Sequence, residues 1–104
     1  MSPNASYQSG AAFERRIKKD LEKRGYYAIR SAGSHGLIDI AAFKDDIALF
    51  IQAKTDGVIS PADEAALVDL CREPNFIPIL AERVGRKLKY CVLPGGEPFD
   101  PGEM

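Results

Sequence analysis

The sequence predicts a mixed α/β fold in the order αβββαββ, one five-stranded sheet flanked by helices. Three observations predict it. Ala12, Phe13, Ile17 and Leu21 form an apolar stripe of helical period. Two short apolar runs, Leu37–Phe43 and Ile47–Lys54, flank the hairpin-like turn Lys44-Asp45-Asp46. A second helix, opened by Ser60 and Pro61, then separates this hairpin from two more strand-like runs. A helical crossover makes the strands around it parallel, so the sheet is mixed and has a helix on each face.

Each element has its own signal. The first helix spans Ser9 to Arg24, with Ser9 as candidate N-cap and Gly25 as its stop. Glu14 follows Phe13 and so lies beside the buried stripe, where it can reach inward. Tyr26–Ser31 is aromatic and branched, as strands are, and Ala32-Gly33-Ser34-His35-Gly36 is a flexible turn. The second helix carries Ala65, Leu67, Val68, Leu70 and Cys71 and stops before Pro74. Its cap, first-turn proline and early acids suit the positive end of the helix dipole. Phe76–Ala81 is a strand in which Pro78 argues for an edge or a non-donating position. Leu88–Leu93 is the last strand. One domain therefore occupies residues 1–93, followed by a Pro/Gly-rich acidic tail at 94–104 expected to be loose.

Composition narrows the function. At 104 residues the chain suits one small domain, which a dimer partner would help to stabilise. No apolar run approaches the roughly 20 residues of a membrane span. No signal peptide is visible, so Cys71 and Cys91 read as reduced thiols of a cytoplasmic protein. Net charge is −1, yet Phe13–Arg30 holds seven basic residues against three acids. A second basic cluster is Arg83, Arg86, Lys87 and Lys89. Local basic faces on a near-neutral chain fit a polyanion bound on one side, against the plainer reading of solvated helix faces.

The chemistry concentrates at Asp39 and, thirteen residues on, Gln52-Ala53-Lys54. Strand side chains alternate, so Gln52 and Lys54 point the same way and converge with Asp39 at one end of the hairpin. Singly, Asp39 reads as a turn residue, Gln52 as an exposed polar residue and Lys54 as an edge-strand charge. Together they read as a metal-dependent phosphodiesterase site. Mg²⁺, with Mn²⁺ as a substitute, takes oxygen ligands. Asp39 offers a carboxylate, Gln52 an amide oxygen, Ala53 a backbone carbonyl and Glu14 a second carboxylate. Lys54 supplies a fixed positive charge for water or phosphate. Arg30 and Ser34 are placed to grip phosphate oxygens, with His35 beside them, and Arg15 and Arg16 to steer the backbone.

These residues carry a resemblance. Phe13-Glu14-Arg15-Arg16, Lys23-Arg24-Gly25-Tyr26, Arg30–Gly36, Asp39 and Gln52-Ala53-Lys54 resemble the archaeal-type Holliday junction resolvases, including bacterial and phage-like members. These are nucleases of the PD-(D/E)XK, restriction-endonuclease-like superfamily. The resemblance implies that fold, metal-binding positions at Glu14, Asp39 and Gln52, and a catalytic lysine at Lys54. It implies phosphate contact or catalysis at Arg15, Arg30 and Ser34. It also implies Mg²⁺-dependent hydrolysis to 5′-phosphate and 3′-hydroxyl ends, by a homodimer cutting symmetric strands of a four-way junction. Apolar positions on the second helix and final strands are the expected dimer surface.

Two positions depart from the pattern. Ile38 stands where the motif has proline, and Gln52 replaces the usual acid. The second change removes a negative charge and predicts Mg²⁺ binding weaker by about 1–3 kcal/mol. The expected function is a structure-selective DNA endonuclease, most simply a Holliday junction resolvase in the cytoplasm, or the host cytoplasm if phage-encoded. The alternatives are a flap or splayed-arm nuclease of the same fold and a DNA-binding module that has lost the reaction.

Overall fold

The computed structural model describes residues 5–31 and 36–102, and the side chains from residue 10 onward. Helix α1 (Ala5–Lys23) is followed by strands β1 (Tyr27–Arg30), β2 (Ile40–Lys44) and β3 (Ile47–Ala53). Helix α2 (Pro61–Leu70) then leads to β4 (Phe76–Val84), β5 (Lys87–Val92) and β6 (Glu97–Pro98). The six strands form one sheet in chain order, and only the β3–β4 pair, joined through α2, is parallel.

The helices sit on opposite faces because strand residues alternate. Phe13, Ile17 and Leu21 of α1 pack against Ala28, Ile40, Ala42, Leu49, Ile51 and Ile79. On the other face Leu67 of α2 packs with Leu80 and Leu93, flanked by Phe50, Val68 and Cys71. In α1 the buried alanine is Ala11, whereas Ala12 is exposed. In α2 only Leu67 is buried, and Ala65 and Leu70 face solvent. A short helix cannot cover six strands, so much of its face of the sheet stays open.

Termini and turns follow local chemistry. Gly25, at φ +92°, ends α1 in a Schellman arrangement, with Tyr26 N–H on the Leu21 carbonyl and Gly25 N–H on that of Glu22. Asp45 takes the left-handed conformation that the β2–β3 turn requires, at φ 53°. The Ser60 side chain accepts the Asp63 N–H at 3.1 Å, and Pro61 opens α2.

The strand count is six rather than the expected five, because Glu97–Pro98 adds to β5. The segment beyond it is also held: Tyr26 Oη donates to the Pro101 carbonyl at 2.8 Å, and Arg24 donates to the Gly102 carbonyl. Pro78 lies in a central strand, between β3 and β5, not at an edge. Its carbonyl accepts from Leu93 N–H, just past the end of β5. A residue's N and C=O point the same way across a strand, so the missing donor falls where that ladder is already ending.

Candidate active site

Asp39 sits just before β2, and its backbone is fixed on both sides. Its carbonyl accepts from Ser31 N–H at 2.9 Å, and its N–H donates to the Ile51 carbonyl at 2.8 Å. The β2–β3 register already pairs Ile40 with Ile51. Two residues thus oppose one, which is a β-bulge, and a bulge re-aims the side chain it carries. The Asp39 carboxylate turns along the end of β3, where Oδ2 accepts the Ala53 N–H at 2.8 Å. Burial pushes its carboxyl above the ordinary range, and the nearby Glu14 charge adds to this. The Ala53 N–H and the Lys54 and Arg30 charges act in the opposite direction.

Gln52, the last-but-one residue of β3, is 7% exposed, and its Oε1 has no hydrogen-bond partner among the described residues. An unsatisfied buried amide oxygen costs about 1–3 kcal/mol, so the position is poor for stability alone. Ala53 uses its N–H on Asp39, and its carbonyl faces the same side. Lys54 N–H instead joins β4 through the Ala81 carbonyl at 2.9 Å.

Glu14 reaches this end of the sheet from α1. Arg30 Nε donates to its Oε1 at 2.9 Å, with both side chains about one-fifth exposed. Arg30 is thus first a partner of Glu14. Glu14, Asp39, Gln52, Ala53 and Lys54 all line one open cavity of ≈ 560 Å³. Arg15 and Arg16 line a different groove. Ser34 and His35 lie outside the described residues.

One lining residue went unnoticed in the sequence. Asp63, in the first turn of α2, faces the same cavity. Its signal in the sequence was that of an ordinary helix-start acid after a serine cap, so nothing marked it as part of a site.

The donor set suits a hard divalent cation: carboxylates, one unpartnered amide oxygen and a backbone carbonyl. Among the described residues no three His, Cys, Asp or Glu side chains lie close enough to hold a metal by themselves. The neutral oxygens of Gln52 and Ala53 would therefore have to complete the set with Asp39 and Glu14.

A mixed sheet with helices on both faces and polar groups gathered at its hairpin end is the restriction-endonuclease-like core. The family model described as archaeal Holliday junction resolvase (Hjc) matches residues 5–65. The chain is 40% identical over 87 residues to the crossover junction endodeoxyribonuclease Hjc of Methanocaldococcus jannaschii, across 81% of this chain and 65% of that one. It therefore spans a little under two thirds of that relative's length. The solved structure of Archaeoglobus fulgidus Hjc, a Holliday junction resolvase, matches with a TM-score of 0.66 and 28% identity. That match covers 79% of this chain and 70% of the other. The chain belongs to the archaeal Holliday junction resolvase family.

Proposed function

We propose that the chain is a structure-selective DNA endonuclease that resolves four-way junctions. The observation that carries this reading is the convergence of Glu14, Asp39, Gln52, Ala53 and Lys54 on one open cavity, with the Gln52 Oε1 unpartnered among the described residues. Asp39, Glu14, Gln52 and the Ala53 carbonyl would hold Mg²⁺, with Mn²⁺ as a substitute. Such an ion, when bound, polarises a phosphodiester and acidifies water. The Lys54 ammonium stabilises charge growing on the phosphate oxygens. Ala53 N–H keeps Asp39 aimed, and Arg30 holds Glu14 while its guanidinium charge faces a neighbouring phosphate.

The reading includes a homodimer, because symmetric nicks need two sites held apart. An uncovered apolar face supports it. Tyr27, Ile29 and Phe43 are 70%, 49% and 40% exposed on the α2 side of the sheet. They adjoin Phe50 and Phe76, whose rings meet edge to face. This face lies mainly on β1 and β2 and differs from the α2 and final-strand surface that the sequence suggests. No helix among the described residues is long and apolar enough to cross a membrane. A cytoplasmic enzyme, or one in a host's cytoplasm, fits the reading.

The test is cleavage of a labelled four-way junction with Mg²⁺ and with EDTA, beside linear duplex, flap and splayed-arm DNA. Paired symmetric nicks confined to the junction, absent with EDTA and in Asp39→Ala, are expected. Cutting mainly at flaps or splayed arms would replace junction resolution with the branched-DNA alternative. Tight binding without cutting in Mg²⁺ or Mn²⁺ would make Gln52 the mark of a lost site.

A further inference from the structure

We infer that a second groove, on the outer side of α1, holds the backbone of a DNA arm away from the cavity. The groove is ≈ 700 Å³ and is walled by α1 on one side and the β4–β5 turn on the other. Arg15, Lys19 and Lys23 line it from the helix, and Arg86 and Lys87 from the turn. The helical cations follow one another at four-residue steps, a row rising about 6 Å per step. Arg16 donates to the Arg86 carbonyl and pins the turn against the helix.

Two features separate this groove from an ordinary solvated face. The acid among its lining residues, Asp20, is already engaged by Arg24 at 3.0 Å and Tyr90 at 2.7 Å. None of the five cations is paired with a carboxylate among the described residues. With Arg16, whose bond to a carbonyl leaves its charge in place, six cations unneutralised among the described residues share one groove on a chain of net charge −1 and repel one another until an anion joins them.

Orientation assigns the role. At about 100° per residue, Arg15, Lys19 and Lys23 lie roughly 100°, 140° and 180° around the helix from Glu14. The row therefore turns away from the cavity. A strand at the branch point cannot occupy both places, but a duplex leaving the branch can run along the helix. Long flexible cations in an open trough suit a linear phosphate backbone better than a compact anion. The inference rests on the junction-nuclease reading for the identity of the polyanion.

The experiment measures binding of fluorescent four-way junctions in EDTA, with long arms and with arms of only a few base pairs, across a salt series. The variants are Lys19→Gln with Lys87→Gln, and the conservative pair Lys19→Arg with Lys87→Arg. The glutamine pair should weaken binding of the long-armed junction about tenfold and lower the salt slope by about two. The arginine pair should bind like the parent chain, which separates loss of charge from misfolding. Short-armed junctions should bind both variants and the parent alike. Unchanged affinity of the glutamine pair for the long-armed junction would overturn the inference. Equal weakening on short arms would also overturn it, by moving these cations to the branch point. A parent chain that binds junctions without cutting them would sink the nuclease reading and leave the groove result standing.

Discussion

The Asp39 carboxylate and the Ala53 N–H are joined by a 2.8 Å hydrogen bond across the end of the hairpin. The bond ties a side chain set by a bulge to the backbone of the strand that carries Gln52 and leads into Lys54. It aligns the acid, and it keeps a half-buried carboxylate ionisable although burial and Glu14 oppose ionisation.

Asp39→Asn separates these two roles. The asparagine oxygen still accepts the Ala53 N–H, so the fold and melting temperature should be retained. The charge is gone, so Mn²⁺ affinity should fall and Mg²⁺-dependent cutting should drop by about 100-fold or more. Calorimetric Mn²⁺ titration beside a junction-cleavage assay checks this, and undiminished Mn²⁺ binding would remove Asp39 from the cation site.

Gln52→Glu restores the acid at this position. With Mg²⁺ present, affinity should tighten by about 1–3 kcal/mol and cutting should increase. Without metal the new carboxylate is buried beside Asp39 and Glu14. The new carboxylate and Asp39 raise each other's pKa, so metal-free stability should fall as pH rises through their raised values. Thermal melts in EDTA and in Mg²⁺ across pH 5 to 8 read both effects. A loss of cutting despite tighter binding would show that the amide belongs to the working site.

Asp63→Asn tests the carboxylate that α2 brings to the cavity. A group acting on the cation through water should weaken Mn²⁺ binding by about tenfold when neutralised. The helix itself should lose only about 0.3–1 kcal/mol, the worth of an acid at a helix start. Unchanged Mn²⁺ affinity with that small stability loss would leave Asp63 a helix-start residue alone.

Tyr90→Phe probes the joint between α1 and β5. Tyr90 Oη donates to Asp20 Oδ2 at 2.7 Å, and removing that bond should cost about 1–2 kcal/mol, or roughly 5 °C in melting temperature. Burial, with the bond to Asp20, pushes the Tyr90 hydroxyl far above its ordinary 10.0. The folded state therefore keeps a proton that the unfolded state releases. Stability conferred by Tyr90 is fully present below pH 10 and declines as pH rises beyond it. The phenylalanine variant should show a shallower alkaline decline in urea melts between pH 9 and 11. Equal slopes would place the titration elsewhere.

Local pattern made much of this molecule legible. The stripe Phe13, Ile17 and Leu21, the hairpin around Asp45, and the Ser60-Pro61 start follow from short-range periodicity and turn chemistry, and the structure contains each. Asp39, Gln52 and Lys54 stood out because they interrupt the ends of apolar strands, and Glu14 because it lies beside the apolar stripe of α1. Pro78 in a central strand, and the β6 pairing of a segment that looked like tail, were not legible. A proline or a two-residue strand is tolerated or excluded by its neighbours across the sheet, which sequence spacing does not identify.

By itself the sequence determined both helices, five of the six strands, their order and the kinds of groups at the hairpin end, because these depend on residues a few positions apart. Only the tertiary structure decided the bulge that aims Asp39, the burial of Gln52, and the placing of Asp63 and Glu14 on one cavity. It also decided that α2 leaves Tyr27, Ile29 and Phe43 uncovered, and that Arg86 and Lys87 close a groove with α1. These depend on register and on how far a ten-residue helix reaches over a six-stranded sheet, and each joins segments that chain connectivity leaves far apart.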